Sequence, residues 1–273
     1  MQTFSTSPIE MLASLWRYRQ LAMQMSKRDA IGRYRGSIMG LAWSFFNPLL
    51  MLVIYTIVFS GIFKSRWGVD TNESRADFAL LLFVGMIVHG LFAECVNRAP
   101  TLILHNVNYV KKVVFPLDII PWTALAAALF HAAISMLVLL LVQLILRQAL
   151  PWTVVLLPVV VLPLILGVMG MSWLLASLGV YVRDVGQVTG VFSTVMLFIS
   201  GVFFPISALP PAYQFWVRIN PLAVVIEQCR EILIFGRLPN MLTWSILLVA
   251  GLLLAWLGFA WFQKTRKGFA DVL

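Results

Sequence analysis

QALPWTVVLLPVVVLPLILGVMGMSWLLASLGVYV, residues 148–182, runs for 35 residues without a Lys, Arg, Asp or Glu. A helix crosses the roughly 30 Å hydrocarbon core of a bilayer with about 20 apolar residues. This stretch is therefore long enough for one crossing plus a loop or re-entrant piece. Arg147 separates it from another uncharged stretch at 119–146, and Arg183-Asp184 from a third at 185–217. Further out lie 36–63, 78–93 and 238–263, and the short 78–93 stretch extends through Glu94 and Cys95. The reading is an all-α integral membrane protein with six transmembrane helices, at about 37–63, 78–96, 119–146, 154–181, 187–204 and 240–262.

Composition excludes the main alternative. Of the 273 residues 61% are hydrophobic and 11% charged, against about 45–50% and about 25% in soluble domains. Six spans leave no connection longer than about 40 residues, whereas a folded domain needs at least about 50. No Gly-Lys pair occurs anywhere, so a phosphate-cradling G-x-x-x-x-G-K-[ST] loop is excluded. Whatever energy the protein uses arrives from outside the chain. The net charge of +9 marks cytoplasmic loops and anionic lipid rather than nucleic acid. Residues 1–10 lack a basic n-region, so no cleaved leader is expected.

Orientation follows from Lys and Arg. One side receives Arg17, Arg19, Lys27, Arg28, Arg33, Arg35, Arg98, Lys111, Lys112, Arg183, Lys264, Arg266 and Lys267. The other receives Lys64, Arg66, Arg75, Arg147, Arg218, Arg230 and Arg237. The richer side is the cytoplasmic one, which puts both termini in the cytoplasm. Cys95 and Cys229 then fall on opposite sides, so no disulfide is expected.

Two amphipathic segments are not spans. In 1–35, Ser7-Pro8-Ile9-Glu10 reads as a helix start, with Ser7 as N-cap and Pro8 in the first turn. Met11, Leu15, Tyr18, Ala22 and Met25 then share one face, while Ser14, Arg17, Gln20, Gln24 and Lys27 occupy another. Such a helix lies along the cytoplasmic interface. At 205–237, Asn220-Pro221 starts a helix whose Leu222, Val225, Ile226, Cys229, Ile232 and Leu233 form an apolar stripe, and Gly236 ends it. It is too short and too charged to span, so an outer re-entrant or interfacial helical cap is expected before the last span, its backbone shielded by protein.

Ionisable residues within spans are functional candidates, and His89, Glu94 and His131 are those residues here. Arg98 is four residues beyond Glu94 and can pair with it, and each histidine suits an interhelical hydrogen bond better than a metal site, for which no ligand cluster is visible. A serine protease reading of Gly170-Met171-Ser172 beside His131 fails on the bulky Trp173 that follows. Gly36–Gly40 and Gly186–Gly190 are G-x-x-x-G pairs compatible with close helix packing or a homodimer seam. Trp43, Phe45, Phe46, Phe192, Phe198, Phe203 and Phe204 concentrate in the first and fifth spans. Some face lipid; others could line a conduit for sugars, whose C–H faces pack on rings. Phe192, Met196, Ile199 and Phe203 share one face of the fifth span.

The run SKRDAIGRYRGSIMGLAW at 26–43, followed by Asn47-Pro48, resembles the R-D-[IL]-x-x-R-Y-[RK]-x-S-x-L-G-x-x-W-x-x-x-x-P signature of the permeases of polysaccharide-exporting ABC transporters, the type-2 exporters of O-antigen, capsule and teichoic acid. NYVKKVVFP at 108–116, YVRD at 181–184, and GVFFP at 201–205 through Asn220-Pro221-Leu222 are similar to further segments of that family. Ala30, Gly32 and Met39 depart mildly from the pattern.

The resemblance implies two copies of this permease with two copies of a separate ABC ATPase subunit, in a bacterial inner membrane. ATP and Mg would sit on the partner, with no cofactor in this chain. Arg28, Asp29, Arg33 and Arg35 would fix the interface helix. Tyr109, Lys111, Lys112, Phe115 and Pro116, with Arg183 and Asp184, would couple to the ATPase. Trp43, Phe46, Phe192, Met196, Phe198, Ile199 and Phe203 would line a conduit at the permease dimer interface for a lipid-linked polysaccharide, most readily O-antigen. Gly201, Phe204, Pro205, Pro210, Asn220 and Pro221 would belong to the outer gate. An ABC exporter of a drug or lipid, and an ion-driven secondary transporter, are the alternatives; the second needs buried coupling charges and repeated halves, which the sequence does not display.

Overall fold

A computed structural model describes residues 5–33, 36–58, 75–111, 115–206 and 209–273, and among these there is no strand. Five helical stretches are long and apolar enough to cross a membrane: Gly40–Val58, Asp77–Thr101, Leu117–Arg147, Trp152–Tyr181 and Met241–Val272. The expected fifth span is shorter than the sequence reading placed it. Its helix is Val185–Ile199 rather than 187–204, about 22 Å at 1.5 Å per residue. The chain leaves the helix there because Gly201 adopts φ 64° and starts a turn.

The helices in chain order are α1 (Pro8–Arg17), α2 (Arg19–Gly32), α3 (Trp43–Tyr55), α4 (Arg75–Arg98), α5 (Val107–Lys111), α6 (Ile120–Arg147), α7 (Leu157–Tyr181), α8 (Val185–Ile199), α9 (Pro211–Ile219), α10 (Pro221–Arg230), α11 (Met241–Thr265) and α12 (Phe269–Val272). α4 is the axis of the bundle. Of the five candidate spans it is 78% buried, against 17–33% for the others. It packs on α6, α8, α10, α7 and α3, and Leu82, Val84 and Val96 are sealed from solvent.

The closest helix pair is α7 with α11, because small residues let the backbones touch. A methyl group on Gly170 would collide with the backbone of Leu254 and Ala255, and one on Gly258 with the backbone of Gly170. Gly251 meets the Pro163 carbonyl in the same way. Pro163 cannot donate to the Val159 carbonyl four residues back, and Trp244 Nε1 of α11 donates to that oxygen at 2.8 Å. The two G-x-x-x-G pairs do not serve this packing, since a methyl on Gly36, Gly40, Gly186 or Gly190 meets no atom of the described residues.

The N-terminal segment is two helices rather than one. Tyr18 sits at φ −105°, ψ 19° between α1 and α2. The break lets α1 reach α11 and the single turn Leu117–Ile119, while α2 lies along α6. Met11, Ala22 and Met25 of the expected stripe are buried. Ser14, expected on the polar face, is buried as well and donates to the Asp118 carboxylate.

The bundle end that carries α1 and α12 is called proximal here, and the opposite end distal. A cap of α9, α10 and a wide turn at Glu231–Phe235 closes the distal end. All six residues of the apolar stripe from Leu222 to Leu233 are buried. The carbonyls that the wide turn frees are taken by side chains: Thr153 donates to Ile232, Gln143 to Leu233 at 2.8 Å and Arg147 to Ile234 at 2.7 Å. Gly236, at φ 68°, ends the turn. A helix terminus folded into the bundle needs such partners, because water does not reach its carbonyls.

Candidate functional site

At the proximal end the arginine-rich segment of α2 is tied to the transmembrane bundle by ion pairs. Arg98 Nη2 donates to both oxygens of Asp29, at 2.8 and 2.7 Å. Arg33 pairs with Glu94 at 2.5 Å, and Arg98 Nη1 lies 3.5 Å from the same carboxylate. His131 Nδ1 of α6 approaches Glu94 at 3.3 Å. The expected Glu94–Arg98 pair is present, but as one edge of a wider network joining α2, α4 and α6. Glu94 and Arg98, four apart on α4, face the same way, which lets one turn of helix receive both Asp29 and Arg33. His89 makes the expected interhelical bond, with Nε2 2.9 Å from the Ser193 carbonyl of α8.

Arg28 reaches from α2 to the Tyr109 hydroxyl of α5 at 3.4 Å. The Tyr109 ring stacks on Phe115, with centroids 4.4 Å apart and planes at 11°. The Phe115 carbonyl accepts from Arg266 at 3.4 Å, and Pro116 leads directly into the Leu117–Ile119 turn. The α2 arginine segment and the 109–116 segment expected to couple thus meet. Lys111 is exposed at the end of α5. Arg183 and Asp184 are exposed at the α7–α8 turn, and among the described residues neither forms an ion pair. Arg35 and Lys112 lie outside the described residues.

A second proximal cluster was not expected. Buried Asp118 accepts from Ser14 and from Arg266 Nη1, the latter at 3.2 Å, while its backbone carbonyl accepts from Trp173 Nε1 at 3.0 Å. Arg266 also donates to Gln263 at 3.0 Å. One residue, Asp118, therefore joins α1, the loop before α6, α7 and the end of α11. The sequence carried one signal for it, an acidic residue directly before an uncharged span, but nothing in the spacing joined Ser14 to Asp118 or Arg266.

The expected conduit residues lie on two separate helices against α4. On α3, Trp43 and Phe46 are exposed. On α8, Phe192, Phe198 and Ile199 are exposed and Met196 is half-buried, as is Phe203 beyond the helix end. Phe198 and Phe203 pair at 5.6 Å, and Phe192 lies 6.0 Å from Phe92 of α4. Val188, Val191 and Val195 continue the exposed surface of α8 and had not been picked out.

At the distal end lie the residues expected to form the gate. Asn220 caps α10, its Oδ1 accepting from Leu222 N at 3.0 Å, while its Nδ2 donates to Ser200 at 3.0 Å and the Ile199 carbonyl at 3.3 Å. Pro221 occupies the first turn of α10 and Pro210 precedes α9. Phe204 and Pro205 are half-buried in the turn between. Gly201 is held by a charged side chain of α10. Arg230, only 1% exposed, donates to the carbonyls of Gly201 and Val202 at 2.9 Å each and of Leu81 at 3.0 Å. Nearby, burial lifts the Glu231 carboxyl above its usual range against the pull of Arg237.

The sequence profile of the family described as ABC-2 type transporter matches residues 20–234 of this chain, from α2 to the wide turn of the distal cap. The O-antigen export system permease protein RfbA of Myxococcus xanthus is 26% identical over 265 residues, covering 96% of this chain and 99% of that protein. An RfbA of Klebsiella pneumoniae with the same description is 25% identical over 255 residues, covering 93% and 95%. The polysialic acid transport protein KpsM of Escherichia coli is 25% identical over 252 residues, covering 88% and 90%.

Proposed function

This chain belongs to the ABC-2 type transporter family, and from that premise we propose that it is the membrane-spanning permease of an ATP-driven exporter of a lipid-linked polysaccharide, most readily O-antigen. The observation that carries the reading is near full-length similarity to permeases named for O-antigen export, over 93–96% of this chain. Two copies of the chain assemble with two copies of an ATPase subunit, which holds ATP and Mg, in a bacterial inner membrane with both termini cytoplasmic.

In this reading α8 and the turn after it complete a sixth crossing, with the distal cap folded over its end. ATP binding changes helix packing because the ATPase dimer has different affinities for two permease states. The proximal network supports a route for that change. A push on the Arg28, Tyr109 and Phe115 contacts reaches α2, and Asp29 and Arg33 pass it to α4 at Arg98 and Glu94. α4 in turn carries α3, α8 and α10, hence the conduit aromatics and the gate. The glycan chain moves along the aromatic surface of α3 and α8 at the dimer interface, held weakly and repeatedly by ring faces.

The test is reconstitution of the chain in vesicles with and without an ATPase partner, following the ATP-dependent appearance of glycan on the far side. Transport by the chain alone would sink the proposal.

A further inference from the structure

The seam between α7 and α11 continues past the end of α11. Gly258, Phe262, Thr265 and Phe269 recur at spacings of 4, 3 and 4, which puts them on one helix face. α11 runs on through the tight turn Arg266–Gly268 into α12, so that face extends to Phe269. Gly258 meets the Gly170 backbone, the Thr265 hydroxyl lies 2.6 Å from that of Ser177, and Phe269 is sealed from solvent. A helix of 4 residues does not stand by its own hydrogen bonds. Phe269 is its anchor, edge-on to Phe262 with centroids 5.5 Å apart.

Residues 265–273 touch both segments read as coupling elements, 109–116 and 181–184. On the second, the Tyr181 hydroxyl donates to the Thr265 carbonyl at 2.8 Å, and its ring lies 6.0 Å from Phe269. Gly268 sits beside the same hydroxyl, where a methyl group would come within 2.7 Å of it. On the first, Arg266 Nη2 donates to the Phe115 carbonyl at 3.4 Å, and α12 packs on α5. The main packing partners of α5 are α12 and the turn before it. Arg266 is itself rooted in the bundle, its Nη1 donating to Asp118 at 3.2 Å and to Gln263 at 3.0 Å. The matched family profile stops at residue 234, short of this tail.

We propose that residues 265–273 are a staple that holds the 109–116 and 181–184 segments as one body. Arg266 and α12 grip the first, while Thr265, Gly268 and Phe269 grip the second, so a displacement of either is shared by both. The staple's part in coupling rests on the function proposed above, in which the ATPase pushes on these segments. Released from the staple, each segment moves alone, and ATP is hydrolysed with less export.

Spin labels on Lys111→Cys and Arg183→Cys, both exposed positions, report whether the two segments move together. Cys95 and Cys229 are buried and do not compete for label. Double electron–electron resonance on the full chain in detergent is expected to give one narrow distance for the labelled parent. Ending the chain after Gly268, which spares Arg266, and Phe269→Ala should each broaden it. Phe269→Leu, which keeps an apolar side chain against Phe262, should restore most of the narrow peak. Tyr181→Phe removes one hydroxyl and no packing, so it still reads the staple if the larger changes unfold the chain, and a smaller broadening is expected. A broad distribution in the parent, or a distance left narrow and unshifted by Tyr181→Phe and every folded variant, overturns the staple. With an ATPase partner in vesicles, Phe269→Ala is expected to keep ATP hydrolysis and to lose export per ATP; parental export per ATP overturns the coupling role. The distance needs neither ATPase nor glycan, so a parent chain without ATP-dependent export refutes the proposed function and leaves the staple standing.

Discussion

Arg230 and Gly201 are joined across the distal cap, the Nη1 of the buried guanidinium donating to the glycine carbonyl at 2.9 Å. The same side chain holds Val202 and Leu81, so one residue of α10 fastens the turn after α8 to the central helix. Its charge meets Glu227 at 3.4 Å, and the other partners named here are carbonyl dipoles. A buried cation kept on carbonyls is expensive in desolvation, and its use here is geometric: it fixes where the chain leaves α8.

Replacing Arg230 with Met keeps most of the volume and removes the donors. The carbonyls of Gly201 and Val202 lose their partner in a buried turn, and the expected loss of stability is on the order of 2–4 kcal/mol. A thermal melt in detergent reads it, and alkylation of a cysteine placed at Val202 should become faster. Unchanged alkylation would mean that the turn is held by something else.

Gly85 should show the same weakness from the other side. A methyl group there lies 2.9 Å from Arg230 Nη2 and 3.3 Å from the Val202 backbone. Gly85→Ala is expected to destabilise by about 1–3 kcal/mol, and combining it with Arg230→Met should cost less than the two losses added, since both act on one contact.

The glycines of α7 and α11 and those of the G-x-x-x-G pairs should separate cleanly. Gly258→Leu drives a side chain into the Gly170 backbone, and the expected result is loss of folded protein on a fluorescence size-exclusion trace. A methyl at Gly190 meets nothing within 4 Å in the described chain, and Gly190→Leu should leave the monomer fold unaltered. A shift from dimer to monomer in that variant would place the α8 pair at a subunit seam.

Asp29 and Arg98 should couple energetically. Both side chains are about one-third exposed, so the pair is worth only about 0.5–1 kcal/mol. A double-mutant cycle on Asp29→Asn and Arg98→Gln measures it, and the exchange Asp29→Arg with Arg98→Asp should recover part of the stability that each change loses alone. Additive losses would mean that the contact carries no coupling.

Phe198, 57% exposed on α8, can be removed without opening a core cavity. Phe198→Ala should leave membrane insertion and the melting temperature within about 0.5 kcal/mol of the parent while lowering glycan export in the reconstituted system. Full export would assign the ring to a lipid-facing role.

Much of the distal cap was legible beforehand. Asn220, Pro221 and Gly236 are punctuation whose chemistry does not depend on what surrounds it, and the Leu222 to Leu233 stripe reports a buried face by its spacing. Arg230 was illegible for the same reason: on a helix wheel it is a charge breaking an apolar face, and only Gly201, Val202 and Leu81 turn that defect into a clamp. The pairing of Glu94 with Arg98 was readable because four residues bring side chains together on any helix. The pairing of Arg98 with Asp29 spans 69 positions, a distance over which local periodicity carries no information.

The division follows from the range of the forces. Apolar length and the scarcity of charge are properties of each segment against its solvent, so the sequence by itself determined an all-helical protein with several helices long and apolar enough to cross a membrane. Which glycines let helices touch, where the fifth apolar helix stops, and which carboxylate receives which arginine depend on atoms brought together from distant parts of the chain. The tertiary structure alone decided these, because buried polar groups must find partners wherever packing puts them, and packing puts Asp118 between Ser14, Trp173 and Arg266.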